Sequence, residues 1–215
     1  MNPKITVMLV DDHAVVRAGY RLLLSQSGSM EVVCEAGRSE EACQYYQDYR
    51  PMVTVMDLNL PGIGGLAALR RIIARDPAAR ILMFSIHDEH AYVTRALEAG
   101  ARGYITKSCA PETLVEAVMK VAQGECYVEP ELAQKLAVQT FIKNTGPTAL
   151  NELSPREFDI FCLLAKGLTT REVADELQLG YKTVANYTTL VKSKLNARTT
   201  AEMAHIAYEY GLFRN

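Results

Sequence analysis

Five times in the first 122 residues a short run rich in apolar and β-branched residues gives way to a segment with helical spacing. The runs occupy residues 5–10, 30–36, 53–56, 80–86 and 103–106, and their lengths suit buried strands. In residues 15–24, Val15, Ala18 and Leu22, with Val16 and Leu23 beside them, recur at helical intervals until Ser27-Gly28-Ser29 breaks the pattern. Ser39, followed by Glu40 and Glu41, opens a second helix with acids in its first turn, and Pro51 ends it. Gly64-Gly65 leads into a helix over residues 66–74 that stops before Pro77. Residues 90–99 form a fourth, closed by Gly100, and Pro111 starts a fifth that runs to Ala122. This alternation predicts parallel strands joined by right-handed crossovers. Its commonest solution is an α/β fold with a flavodoxin-like, doubly wound, five-stranded parallel sheet.

Beyond Gly124 the pattern changes. Leu132, Leu136, Val138 and Phe141 have helical spacing, and Gly146-Pro147 follows, so residues 125–150 read as a linker holding one helix, flexible over residues 143–148. From residue 151 onward only helical signals appear. Ser154 is a good N-cap with Pro155 behind it, and Phe158, Phe161, Leu164 and Ala165 form a stripe that ends at Gly167. Thr170 caps a short helix with Val173, Ala174 and Leu177 inward. Leu179-Gly180 makes a tight turn. Val184, Tyr187, Val191 and Leu195 share one face of a longer helix, and a last helix spans residues 199–210 before Gly211. The chain thus reads as three parts: residues 1–124, 125–150 and 151–215, the last a small all-α domain.

A length of 215 residues accommodates one ordinary domain and a small one, and 49% hydrophobic with 22% charged residues is a globular mixture. No stretch approaches the roughly 18 consecutive apolar residues that span a bilayer. The start leads straight into a six-residue apolar run, too short for a signal peptide, so a cytoplasmic location without membrane attachment is expected. Cys34, Cys43, Cys109, Cys126 and Cys162 are scattered, odd in number and without zinc-site spacing, which suits reduced, structural thiols. The net charge of −2 says little as a total. Between Leu177 and Ala201, however, stand Lys182, Lys192, Lys194 and Arg198 with no acid. A charge run usually marks a solvated face, so it acquires meaning only from a motif.

Chemistry concentrates at the predicted strand ends. The first run ends in Asp11-Asp12, the third in Asp57 just before Pro61-Gly62, the fourth in Ser85, and the fifth at Lys107. Each has an ordinary reading alone: Asp57 caps a turn, Asp11-Asp12 precede a helix, Ser85 is a strand-end hydroxyl, Lys107 a surface lysine. Together they point elsewhere. With the first and third strands adjacent, three carboxylates converge and repel unless a cation neutralises them, and an all-oxygen site favours Mg²⁺. A hydroxyl and an ammonium on the same rim suit phosphoryl chemistry on a carboxylate. Asp57 would be the nucleophile, the metal and Lys107 would neutralise phosphoryl oxygens, and Ser85 would donate a hydrogen bond.

Asp11-Asp12, Met56-Asp57-Leu58-Asn59-Leu60-Pro61-Gly62, Ser85, Ala99-Gly100-Ala101, Gly103-Tyr104 and Lys107 fall where a response-regulator receiver domain has them, and residues 5 to about 124 resemble that family. The resemblance implies that Asp57 accepts a phosphoryl group from a sensor histidine kinase. It implies Mg²⁺ held by Asp12 and Asp57, by Asp11 through water, and by the backbone carbonyl of Asn59. It further implies a switch in which Ser85 moves toward the phosphoryl group and Tyr104 changes rotamer with it. One departure is Ser108, where many receivers have Pro.

Residues 151–215 resemble the LuxR-type helix-turn-helix of the NarL/FixJ regulators, through Leu153-Ser154-Pro155-Arg156-Glu157, Gly167-Leu168-Thr169, Glu172-Val173-Ala174, Leu177, Thr183-Val184 and the stretch Lys192 to Leu195. Physically, a short helix, a turn, and a second helix bearing Lys182, Thr183, Ala185, Asn186, Thr189 and Lys192 outward is what insertion into a DNA major groove requires. Lys182, Lys192 and Lys194 would hold phosphates, and Asn186 would pair with an adenine edge. Ala185 and Tyr187 depart from the family's basic residue and histidine, and Gly180 from its serine cap. The combined reading is a two-component transcription regulator, homodimeric when active on paired half-sites, with residues 199–210 as the dimer surface. It is not an enzyme beyond slow self-dephosphorylation. The rivals are a Mg²⁺-dependent phosphatase or phosphotransferase with an aspartyl-phosphate intermediate, which Asn59 opposes by standing where a general acid is needed, and a regulator that works without phosphate.

Overall fold

The computed structural model describes residues 4–142, 149–210 and 212, with only the backbone for residues 138–142, 149 and 151. The expected flexible segment 143–148 and Gly211 lie outside the described residues, as do the side chains of Val138 and Phe141. Two compact units form, residues 1–88 with 92–136 and residues 137–215 with 89–91.

Through residue 142 strands and helices alternate: β1 (Ile5–Val10), α1 (Ala14–Gln26), β2 (Met30–Ala36), α2 (Ser39–Tyr49), β3 (Val53–Met56), α3 (Gly65–Arg75), β4 (Ile81–Ser85), α4 (His90–Glu98), β5 (Gly103–Thr106), α5 (Pro111–Ala122), β6 (Tyr127–Val128) and α6 (Pro130–Ile142). The sheet is parallel, in the order β2-β1-β3-β4-β5-β6. It therefore has six strands where five were expected. β6 is only two residues long, Tyr127 and Val128 pairing with Gly103 and Tyr104, and so short a strand leaves no periodicity to read. The start of the expected linker is in this way built into the sheet.

β3, β4 and β5 are buried at every position, because helices cover both faces of a doubly wound sheet. On one face Val7, Leu9, Val53, Val55, Leu82, Phe84 and Ile105 pack with Leu24 of α1 and with Leu114, Ala117, Val118 and Val121 of α5. Alternation sends Met8, Met56, Met83 and Tyr104 to the other face, where they are equally buried. Two local readings change. In α1 the inward stripe holds Tyr20, Leu23 and Leu24, whereas Val15 and Leu22 are 86% and 62% exposed; two apolar faces were legible, and packing on the sheet selects one. In α2 the N-cap is Arg38, because the Ser39 hydroxyl is drawn away to donate to the Pro61 carbonyl and to accept the Ile63 N–H.

The second unit is helical: a 3₁₀ turn (Ala149–Glu152), then α7 (Pro155–Ala165), α8 (Thr170–Glu176), α9 (Tyr181–Lys194) and α10 (Thr200–Glu209). Ser154 and Glu157 form a capping box with Pro155 at the first position. The cap of α8 is Thr169, one residue earlier than expected. Only from there does Glu172 fall at the third helical position and close a second capping box. The turn before α9 also differs in detail. Its left-handed residue is Gln178, with φ 51°, while Gly180 is extended and caps α9 without a side chain. Phe158, Phe161, Leu164, Val173, Val184, Val191, Met203 and Ala207 fill the core.

Candidate functional site

Strand register assembles the acidic cluster. Val10 pairs with Met56, and the Asp57 N–H donates to the Val10 carbonyl at 2.9 Å, so the residues that follow β1 and β3 emerge side by side. β4 and β5 pair Ser85 with Thr106, and the Lys107 N–H donates to the Ser85 carbonyl at 2.8 Å. All four strands end on the same rim of the sheet, at the carboxyl ends where such folds place their sites. Lys107 then reaches across. Its Nζ lies 2.6 Å from Asp57 Oδ2 and 2.7 Å from Asp11 Oδ2.

Asp11 and Asp57 are only 5% and 4% exposed. Burial is the largest influence on Asp57 and holds its carboxyl above the usual carboxylate range, although Lys107 pulls the other way. Burial also disfavours the Lys107 ammonium, but Asp57 and Asp11 outweigh it, and the lysine pKa is raised. A fixed positive charge therefore stands between two buried acids. The other Asp57 oxygen, Oδ1, accepts the Asn59 N–H at 3.2 Å. Asp12 is held differently: its buried Oδ1 accepts no hydrogen bond and lies 2.7 Å from His13 Nδ1. Ligand atoms of Asp11, Asp12 and His13 come within 4.8 Å of one another. A carboxylate oxygen without a hydrogen-bond donor, beside the Asp11 carboxylate, fits a hard divalent cation.

The switch candidates belong to β4 and β5. Ser85 is fully buried, and its Oγ accepts the His87 N–H at 3.3 Å. Tyr104, also fully buried, donates its hydroxyl to the His87 carbonyl at 2.8 Å. The His87 ring stacks on Tyr92 at 4.2 Å and places Nε2 3.3 Å from Asn59 Oδ1. The loop after β4 is thus connected both to the loop after Asp57 and to Tyr104.

Sequence reasoning missed three participants. His87 carries no local signal, since only the tertiary fold brings it to Asn59. Arg17 of α1 holds the Asp11 carbonyl through Nη1 at 2.5 Å. Gly65 begins α3 against the site: a Cβ there would come 2.0 Å from the Asp57 carbonyl oxygen. Two successive glycines at a helix start were the available clue to that close approach.

In the second unit, Lys182, Thr183, Asn186 and Thr189 of α9 are exposed, while Ala185 and Lys192 are half-buried. Residues 182, 186 and 189 share one helical face, opposite the buried Val184 and Val191. Lys194 is engaged differently. Its Nζ lies 2.6 Å from Glu157 Oε2 and 3.2 Å from the Glu152 carbonyl, which makes it a brace within the unit. Among the described residues no helix is long and apolar enough to cross a membrane.

Residues 7–119 match the family described as response regulator receiver domain, and residues 151–207 that of bacterial regulatory proteins, luxR family. The transcriptional activator protein ExaE of Pseudomonas putida is 44% identical over 97% of this chain and 98% of its own length. Response regulator UvrY of Escherichia coli (strain K12) is 36% identical over 97% and 95%. Among solved structures, a LuxR-family two-component response regulator from Aurantimonas sp. SI85-9A1 is 43% identical. It covers 64% of this chain and 99% of that one, with a TM-score of 0.63.

Proposed function

Because this chain belongs to the NarL/FixJ family of two-component response regulators, joining a receiver domain to a LuxR-type DNA-binding domain, we propose that phosphorylation of Asp57 by a sensor histidine kinase controls its binding to paired DNA half-sites. The observation that carries this reading is the Lys107 ammonium shared by the Asp57 and Asp11 carboxylates at 2.6 and 2.7 Å.

A carboxylate oxygen of Asp57 attacks the phosphorus of a phosphohistidine, the P–N bond breaks, and the imidazole leaves with its electron pair. Lys107, 2.6 Å from Asp57 Oδ2, would neutralise charge on the transferred oxygens with little reorganisation. Asp11, Asp12, Asp57 and the Asn59 carbonyl would hold Mg²⁺, as the orphaned Asp12 oxygen favours; when bound, the ion supplies further neutralisation of phosphoryl oxygens. The phosphoryl group keeps the attacking carboxylate oxygen as its bridge and adds three acceptor oxygens beyond it. Ser85 turns its hydroxyl from the His87 N–H toward them, and the loop carrying His87 then shifts its hold on Tyr104. Asn59 engages His87 and Asp57 and offers no acid to the leaving group, which favours a stable phosphoprotein with slow self-hydrolysis over an enzyme.

On the DNA side, Lys182 and Lys192 hold phosphates while Thr183, Asn186 and Thr189 face base edges. Tyr208, 71% exposed on α10, supports a dimer surface there. A protein that meets DNA and a kinase's catalytic side works in the cytoplasm. The test is intact-mass measurement after incubation with Mg²⁺ and acetyl phosphate. One phosphoryl adduct is expected in the native chain and none in Asp57→Asn; an adduct on the variant, or none on either, overturns the assignment.

A further inference from the structure

A second site lies between the C-terminal halves of α2 and α3, away from the acidic rim. The two helices enclose a cleft of about 330 Å³, near the lower limit for small-molecule sites. Three arginines line it, Arg50 from the end of α2 and Arg71 and Arg75 from α3. Arg71 and Arg75 are four residues apart on one helical face, where like charges repel by a few tenths of a kcal/mol. Neither has a hydrogen-bond or ion-pair partner among the described residues. Both nevertheless bear on the Cys43 thiol inside the cleft: burial raises its pKa, and the two arginines pull it down.

Arg50 is held there at a conformational cost. It occupies the left-handed region at φ 45° and ψ 56° as the C-cap of α2, a place where glycine is the least strained residue. Its guanidinium stands 6.0 Å from the centre of the Tyr46 ring and 3.5 Å from Asp76 Oδ2. Asp76, the one carboxylate of the cleft, also accepts the Tyr46 hydroxyl at 2.7 Å. It is thereby occupied and far too little to balance three cations. Guanidinium forks match phosphate oxygens in pairs.

We propose that the α2–α3 cleft binds a compact polyanion of the pyrophosphate type, free or as the tail of a nucleotide, between Arg50, Arg71 and Arg75. The site is independent of Asp57 and of its phosphorylation. The full chain, in buffer with EDTA so that no cation draws anions to the acidic rim, is titrated calorimetrically with sodium pyrophosphate and separately with ADP. Saturable one-to-one binding of at least one titrant is expected, and the tighter of the two identifies the source. Arg71→Ala/Arg75→Ala weakens it at least tenfold. Arg70→Ala, exposed on the same helix outside the cleft, leaves it unchanged, and circular dichroism confirms that both variants fold. Absence of saturable binding by either titrant, binding that survives the double substitution, or equal weakening by Arg70→Ala overturns the proposal.

Discussion

Lys107 Nζ sits 2.6 Å from Asp57 Oδ2 and 2.7 Å from Asp11 Oδ2, an ammonium shared by two acids that are almost fully buried. Removing it strands two like charges in a poorly solvated site, which costs about 3–5 kcal/mol for a broken buried pair. Lys107→Ala is therefore expected to melt well below the native chain in EDTA and to recover more than the native chain does on adding Mg²⁺. Thermal melts with and without the ion check this, and an identical Mg²⁺ response in the two proteins would contradict it.

Gly65 is the second point of constraint, because a methyl group there would press on the Asp57 carbonyl. Gly65→Ala must push α3 from the phosphoacceptor loop, at an overpacking cost of about 1–3 kcal/mol. Lower stability in urea unfolding and slower phosphoryl uptake from acetyl phosphate are expected together. Gly19, whose Cβ would meet nothing within 4 Å, is the control, and Gly19→Ala should cause neither effect.

Glu129, between β6 and α6, accepts both the Thr106 N–H at 3.0 Å and the Thr106 hydroxyl at 2.9 Å. That fastens the segment before α6 to the residue preceding Lys107. Glu129→Ala leaves a part-buried N–H and hydroxyl without this partner, costing about 1–3 kcal/mol. Lys135→Ala, which removes a half-exposed pair with Asp88, should cost about 1 kcal/mol or less. Comparing DNA binding before and after phosphorylation, the Glu129 variant should show the smaller difference. An undiminished difference would show that the signal takes another route.

Lys182 and Lys194 carry the same charge and are predicted to behave differently. Lys182 is exposed on α9, so Lys182→Ala should weaken DNA binding and reduce the slope of log K against log salt by about one. Lys194 is held by Glu157, so Lys194→Ala should lower stability and leave that slope nearly unchanged. Salt titrations of DNA binding beside urea melts separate the two. A slope change on losing Lys194 as large as that on losing Lys182 would place Lys194 on the DNA instead.

Glu157 makes the helical unit sensitive to acid. Burial alone would raise its carboxyl pKa, but Lys194 and the Ser154 N–H and hydroxyl prevail and hold it below the usual value. An acid with a depressed folded pKa lends stability that is present above its unfolded pKa and lost as pH falls through the folded one. The native chain should thus lose stability from about pH 4.5 downward, in the range of an ordinary glutamate. Glu157→Gln should begin lower in stability and lose less over the same interval. Parallel pH dependences in the two proteins would remove Glu157 as the cause.

The alternation of apolar runs and helical segments determined the doubly wound sheet, because buried parallel strands and amphipathic helices leave different periods in the chain. Ser154, Pro155 and Glu157 likewise announced the start of α7, since capping is chemistry between near neighbours. Asp11, Asp12, Asp57, Ser85 and Lys107 were legible because each ends a strand, and the ends of parallel strands share one rim. Contacts between residues far apart in sequence had no such signature. Whether α1 buries Leu23 or Leu22, whether Ser39 caps α2 or turns to Pro61, and that Lys194 meets Glu157 were all decided by what packs alongside. β6 was invisible for a related reason: two residues make a strand only when β5 offers its free edge. His87 reaches Asn59, and Arg50 reaches Asp76, across 28 and 26 residues of chain, and only the folded backbone closes those distances.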